Sequence, residues 1–268
     1  MQAGDGLPRA LTIAGSDPGG GAGIQADLKT FSALGVYGMT AITAVTVQNT
    51  KGVSGFDEVS PDTVGAQIRA VATDIGVDAA KTGMLASASI VAAVVDAVRE
   101  TRLPNLVVDP VFVSKHGHTL LADDAVDAIR SDLFPLATLV TPNLDEASGL
   151  LGEPVRSRGE MRRAAIALLA TGPDAVLIKG GHLEGGMAAD LFLDPTREEW
   201  LEVERIDTPH THGTGCTLSA SIAASLARGD DLLDAVWAGK AFVTGAIRHA
   251  LVLGDGIGPV DPLWDLDR

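Results

Sequence analysis

Leu11-Thr12-Ile13-Ala14-Gly15-Ser16-Asp17-Pro18-Gly19-Gly20-Gly21-Ala22-Gly23-Ile24-Gln25-Ala26-Asp27 changes its periodicity halfway along. Leu11 to Ala14 reads as a buried strand. Gly15 to Gly23 is a glycine-rich turn, and Ile24, Leu28, Phe31 and Leu34 then keep helical spacing until Gly35. A strand leaving through a tight turn into a helix is half of a βαβ unit.

The same alternation continues outward. Thr40 to Val47 is rich in the β-branched residues that strands prefer. Ser60-Pro61 starts a helix, with an N-cap serine and proline at the first position; Val64, Ile68, Val71 and Ile75 supply its apolar face. Ala79 to Thr82 and Leu106 to Val108 read as strands, with a helix from about Ser87 to Arg99 between them. Leu139-Val140 and Ala175 to Ile178 are further strands. Leu191-Phe192-Leu193 and Trp200 to Val203 form a hairpin around Asp194-Pro195. Helices over Gly213 to Ala227 and Leu232 to Leu253 close the chain. Repeated alternation means parallel strands joined by right-handed crossovers, so the expected fold is a three-layer α/β/α sandwich with a mostly parallel central sheet.

Composition bounds the function. Of 268 residues, 46% are hydrophobic, with no linker or composition shift, so one domain over residues 9–268 is expected after a loose tail, Met1 to Pro8. A formal net charge of −15 argues against nucleic acid and anionic membranes as partners. One cysteine fits a reducing compartment. With no secretory signal and no apolar run of membrane-spanning length, a cytoplasmic protein is expected.

In parallel sheets ligands bind beyond the carboxyl ends of the strands. There this chain carries Gly15-Ser16-Asp17, Gln48-Asn49, Thr82-Gly83-Met84, Asp109-Pro110, Thr141-Pro142-Asn143 and Lys179-Gly180-Gly181. The most telling segment is Thr211-His212-Gly213-Thr214-Gly215-Cys216, which opens a helix. Two glycines permit a tight turn that aims backbone N–H groups at one point, an arrangement that binds phosphate. A thiol in that field would have its pKa lowered, although a lone cysteine also serves as a small buried hydrophobe. The glycine loop after the first strand is neither a Walker A loop nor a GxGxxG fingerprint, and no Gly-Lys-Ser/Thr is present.

Other residues carry two readings each. Asp27, early in a helix, either complements the helix dipole or binds a substrate donor. Asn143 with Glu146 three residues later resembles a capping box; alternatively Glu146 faces phosphates and helps hold Mg²⁺. Lys179 either neutralises phosphate or snorkels to solvent. Lys240 shares an apolar stripe with Val236, Val243 and Ile247, where a cation must be paired or reach a cleft. His116-Gly117-His118 and His210-Thr211-His212 lack the partners of a structural metal site.

Taken together, these motifs resemble the hydroxymethylpyrimidine/phosphomethylpyrimidine kinases of thiamine biosynthesis, in the ribokinase-like superfamily. The resemblance runs from about Ala10 to Pro262 and includes Lys81-Thr82-Gly83-Met84-Leu85, Val108-Asp109-Pro110-Val111 and Lys179-Gly180-Gly181-His182. It implies an ATP- and Mg²⁺-dependent kinase that phosphorylates 4-amino-5-hydroxymethyl-2-methylpyrimidine and then its monophosphate, and that works as a cytoplasmic homodimer. It also implies roles. Gly213, Thr214, Gly215 and Cys216 would form the anion hole, with Cys216 as base. Gln48 would meet the aminopyrimidine edge, in a pocket with Gly15, Asp27 and Met84. Asp109, Asn143 and Glu146 would surround the metal and phosphates, and Lys179 and Lys240 would lie near ATP. The competing readings are a pyridoxal kinase of the same superfamily and a catalytically silent pyrimidine- or nucleotide-binding module.

Overall fold

The β1 strand (Arg9–Ser16) lies inside the sheet because its residues are buried on both faces. A computed structural model describes residues 6–112, 123–181, 183 and 185–266. The remaining strands are β2 (Tyr37–Asn49), β3 (Gly52–Glu58), β4 (Ala79–Thr82), β5 (Leu106–Val108), β6 (Leu139–Val140), β7 (Val176–Ile178), β8 (Met187–Leu193) and β9 (Glu198–Glu204). They form one nine-stranded sheet in the order β3-β2-β1-β4-β5-β6-β7-β8-β9. Pairing is parallel from β2 through β7; β3 is antiparallel to β2, and β8 is antiparallel to both β7 and β9.

Among the described residues eight α-helices cover the sheet: α1 (Gly23–Ala33), α2 (Pro61–Asp74), α3 (Ala88–Thr101), α4 (Asp123–Ala128), α5 (Leu144–Leu151), α6 (Arg158–Leu169), α7 (Thr214–Ala227) and α8 (Leu232–Arg248). Side chains alternate across each strand. Leu11 and Ile13 join a core with Val64, Ile68, Val91 and Val94 from α2 and α3, while Ala10, Val107 and Leu139 pack with Phe31, Leu218, Ile222 and Val236 from α1, α7 and α8. This is the three-layer sandwich expected from the sequence.

Two boundaries differ. The last helix ends at Arg248, short of Leu253, and the chain then runs as coil with Val252 and Leu253 exposed. Ile75, placed on the apolar face of α2, is the C-cap and is exposed. The Ser60 cap is as expected, its side chain accepting from the Thr63 N–H.

The first crossovers set the site. From β1 the chain moves to β2 on one side and later to β4 on the other. Strand order therefore reverses between β1 and β4, and a crevice opens beyond their carboxyl ends.

Candidate active site

That crevice is a cavity lined by Gly15 near the end of β1 and Asp17 after it, Gln48 on β2, Lys81 and Met84 around the end of β4, Asp109 after β5, Asn143 and Glu146 after β6, and Lys179 after β7. The segment from Thr211 to Cys216 closes the opposite wall. The strand-end segments read from the sequence thus converge on one space.

Gly213 is the N-cap of α7 at φ +81°, and a Cβ there would lie 1.8 Å from the Gly21 carbonyl oxygen. Only glycine fits that turn and that close approach. The first turn of α7 has neither a side-chain cap nor an acidic residue. The Thr214 N–H donates to the Thr211 carbonyl at 3.3 Å, and the N–H groups of Gly215 and Cys216 line the cavity with the positive end of the helix dipole behind them.

Lysines reinforce this positive wall. Lys179 Nζ lies 2.7 Å from Asp109 Oδ1 and 3.7 Å from Glu146 Oε2. Burial opposes its charge, but Asp109 and Glu146 outweigh burial and raise the Lys179 pKa. Burial likewise opposes the Asp109 charge; Lys179 and Lys81, with the Thr141 hydroxyl at 3.0 Å, still hold its carboxyl below the usual range. Glu146 goes the other way. Burial pushes it up to about 7, against the pull of Lys179 and with a further push from Asp109.

Asn143 and Glu146 form the capping box. Asn143 Oδ1 accepts from the Glu146 N–H at 2.9 Å, and Glu146 Oε2 accepts from the Asn143 N–H at 2.7 Å. Both residues also line the cavity, so the structural and site readings coexist. Among the described residues no cluster of three or more His, Cys, Asp or Glu side chains is arranged to hold a metal alone.

Cys216 needs a correction. The helix N-terminus was expected to lower its pKa; instead desolvation pushes the thiol up to about 11, despite Lys81 and a hydrogen bond from the Gly23 N–H. Burial is the largest cause, and Asp27 and Asp109 add negative charge close by.

Two other expected residues do not line the cavity. Asp27 is fully buried behind Lys81 and pairs with Lys81 Nζ at 2.9 and 3.1 Å, while the Thr12 hydroxyl donates to it at 2.6 Å. Thr12 and Lys81 point to the same sheet face because their strands pair in register there, and α1 brings Asp27 onto that face. Lys240 is also removed from the cavity. Its Nζ is 2.6 Å from Asp190 Oδ2, and Asp190 Oδ1 accepts from the Gly180 N–H at 2.8 Å. Of the histidine pairs, His116 and His118 lie outside the described residues, as does His182.

Sequence reasoning missed three site residues. Lys81 is a cation inside a buried strand, the same signal that drew attention to Lys240. Asp17 accepts from the N–H groups of Gly19, Gly21 and Ala22, and so shapes the glycine loop. His212 links that loop to the α7 turn, with Nε2 3.0 Å from Asp17 Oδ2 and 3.2 Å from Gln48 Nε2. Met84 packs beside Gly15, where a Cβ would meet its sulfur at 3.3 Å.

Comparison with known proteins agrees with this geometry. The family model described as phosphomethylpyrimidine kinase matches residues 17–261. A hydroxymethylpyrimidine/phosphomethylpyrimidine kinase from Streptomyces coelicolor is 54% identical over 97% of this chain and 96% of its own length. Among solved structures, the ADP complex of Bacillus subtilis pyridoxal kinase superposes with a TM-score of 0.90 at 43% identity, covering 96% of this chain and 97% of that one. The phosphomethylpyrimidine kinase from Clostridium difficile gives a TM-score of 0.79 at 42% identity, over 89% and 99%. The chain belongs to the hydroxymethylpyrimidine/phosphomethylpyrimidine kinase family of the ribokinase-like superfamily.

Proposed function

We propose that this protein transfers the γ-phosphoryl group of ATP to the hydroxymethyl oxygen of 4-amino-5-hydroxymethyl-2-methylpyrimidine, and then to the resulting monophosphate. The observation that carries this reading is the uncapped, acid-free N-terminus of α7, which lines one cavity with Lys179, Lys81, Gln48 and Met84 and has Lys179 Nζ against Gly215, where a Cβ would lie 3.3 Å from it. Phosphoryl transfer asks mainly for in-line placement and charge stabilisation. The N–H groups of Gly215 and Cys216 and the two ammonium groups supply positive charge without reorganising. Gln48 and Met84 offer an amide edge and an apolar contact for a small heteroaromatic ring.

The donor set suits Mg²⁺ carried on nucleotide phosphates. Mg²⁺ keeps several waters and takes one or two carboxylates. Glu146, destabilised as an anion by burial, and Asp109 would be those carboxylates. When bound, the ion would neutralise charge on the transferred group. Asn143 has its side-chain oxygen engaged in the cap and acts here by positioning Glu146.

In this reading it is the thiolate of Cys216 that receives the proton of the alcohol. Burial keeps most of the thiol protonated at neutral pH, so the first step should quicken as pH rises and the thiolate fraction grows. The second step uses a phosphate oxygen already ionised and should be flatter.

The pyridoxal kinases among the structural neighbours favour a second reading, in which pyridoxal is the acceptor. Both readings are separated by one coupled assay with ATP, Mg²⁺ and three acceptors: the pyrimidine alcohol, its monophosphate and pyridoxal. Turnover of the first two with little of the third is expected. Turnover of pyridoxal alone would replace the proposal, and no turnover of any acceptor would support a silent binding module.

A further inference from the structure

The Gln48 side chain touches two partners, and both touch it with the wrong polarity. Its nitrogen end lies 3.2 Å from His212 Nε2, and its oxygen end lies 3.4 Å from Thr46 Oγ1. His212 Nε2 also lies 3.0 Å from Asp17 Oδ2. Asp17 already accepts three backbone N–H groups, at 2.8, 3.0 and 2.8 Å, so it is a carboxylate with nothing to donate. Burial opposes that charge, but His212 and the loop N–H groups outweigh burial and hold the acid below its usual range. The shared proton therefore sits on His212 Nε2, whether the ring is neutral or charged. A Gln48 nitrogen facing it sets donor against donor.

The other end gives the same answer. Thr46 has one hydroxyl proton, and the Ser16 carbonyl takes it at 2.7 Å. The hydroxyl can then only accept from Gln48, yet an oxygen faces it. Turning the amide by half a rotation exchanges its ends and makes both contacts attractive: the carbonyl shares the His212 Nε2 proton with Asp17, and the Thr46 oxygen accepts from the amide nitrogen. Which end of an amide is which follows from its partners, since the two ends have the same shape.

We propose that His212, with Thr46, holds Gln48 with its carbonyl toward His212 and its amide nitrogen toward Thr46, and that His212 is thereby a positioning residue for acceptor specificity. This rests on the pyrimidine-kinase reading of the site. A held amide presents one donor–acceptor polarity to the ring. The carbonyl on the His212 side accepts from an exocyclic amine, and the nitrogen on the Thr46 side donates to a ring nitrogen. Pyridoxal offers oxygen substituents where the aminopyrimidine offers an amine N–H, so the held carbonyl meets no amine. A freely turning glutamine would serve both rings alike. His212 comes from the α7 turn and Asp17 from the glycine loop, so specificity at β2 is set by two segments that also build the phosphate wall.

Two measurements on the full-length protein decide it. The first is the set of NOEs from the Gln48 side-chain amide protons. Contact with Thr46 and none with the His212 ring is expected; the reverse pattern overturns the orientation. The second compares wild type, His212→Phe and His212→Gln by kcat/KM for the pyrimidine alcohol and by the inhibition constant of pyridoxal. Phenylalanine keeps the ring and removes the donor, and glutamine returns an N–H. His212→Phe should lower pyrimidine kcat/KM about tenfold, the loss of one oriented hydrogen bond, with pyridoxal inhibition unchanged or tighter. His212→Gln should recover most of that loss. Equal weakening of both ligands, or no recovery by glutamine, shows a scaffold role only and refutes the specificity role. If wild type fails to phosphorylate the pyrimidine alcohol, the kinase reading fails, and the NOE pattern still decides the amide orientation.

Discussion

Lys81 and Lys240 are both buried cations, each paired with one aspartate, yet only Lys81 borders the cavity. Lys81 sits near the carboxyl end of β4, and its side chain is 0% exposed, as is that of Asp27. Lys240 sits inside α8, with its side chain 7% exposed and that of Asp190 6%. Its partner holds the Gly180 N–H behind Lys179. A cation on an apolar surface signals a partner, because burial without one is prohibitive. Whether it also signals a site depends on where its strand or helix ends. A residue at the carboxyl end of a central parallel strand opens onto the crevice; one in mid-helix does not.

The largest effect that separates the two is on stability. Lys81→Met leaves Asp27 as a buried charge with only Thr12 beside it and should cost about 3–5 kcal/mol. Lys240→Met should fall at the low end of the same range, because Asp190 retains the Gly180 N–H and slight exposure. Chemical denaturation of both variants measures this. A Lys240→Met protein as stable as wild type would show that the pair contributes nothing.

Paired substitutions sharpen the contrast in activity. Lys81→Met with Asp27→Asn removes both charges and keeps an acceptor for Thr12, so stability should largely return while turnover stays low. Lys240→Met with Asp190→Asn keeps an acceptor for Gly180 and should recover stability and turnover together. Activity restored in both double variants would make Lys81 as purely structural as Lys240.

The smallest expected effect is on Cys216. With a pKa pushed up to about 11, the thiol should be alkylated slowly at pH 7, with a rate climbing about tenfold per pH unit through the neutral range. Lys81 is the nearby group that holds this pKa down. The Lys81 double variant also removes Asp27, which pushes the thiol the other way but less strongly, so its alkylation profile should move only slightly toward higher pH, and the Lys240 double variant should leave the profile in place. A wild-type profile already flat near pH 7 would mean a preformed thiolate.

The sandwich was legible because apolar β-branched runs and helical spacing alternate over most of the chain. What escaped has local causes. β3 carries Gly52 and Gly55, ends in Asp57-Glu58 and lies at the sheet edge, so it lacks a buried-strand pattern. α6 presents Arg158 and Arg162 outward to Glu202 and Glu198 of β9, and two of its four buried residues, Met161, Ala164, Ala165 and Leu168, are alanines. In the candidate site, the strand-end motifs converge on one cavity, since position after a parallel strand is enough to bring a residue there. Pairing was not legible. Asp27 looked like a ligand because its partner, Lys81, is 54 residues away on a strand read for its hydrophobicity. The Cys216 thiol was misjudged because the helix dipole can be read from sequence, whereas the desolvation and the two nearby carboxylates that outweigh it cannot.

Cys216 should act differently in the two phosphorylations. The decisive measurement is kcat/KM for the pyrimidine alcohol and for its monophosphate, in wild type and Cys216→Ala. Alanine leaves the N–H groups of α7 in place, so ATP should still bind. Alcohol phosphorylation requires a proton to be taken and should fall by ~10²-fold or more, as for loss of a general base. Monophosphate phosphorylation starts from an ionised oxygen and should fall far less. If both acceptors lose the same factor, Cys216 shapes the site without accepting the proton, and the proposed division between the two steps is wrong.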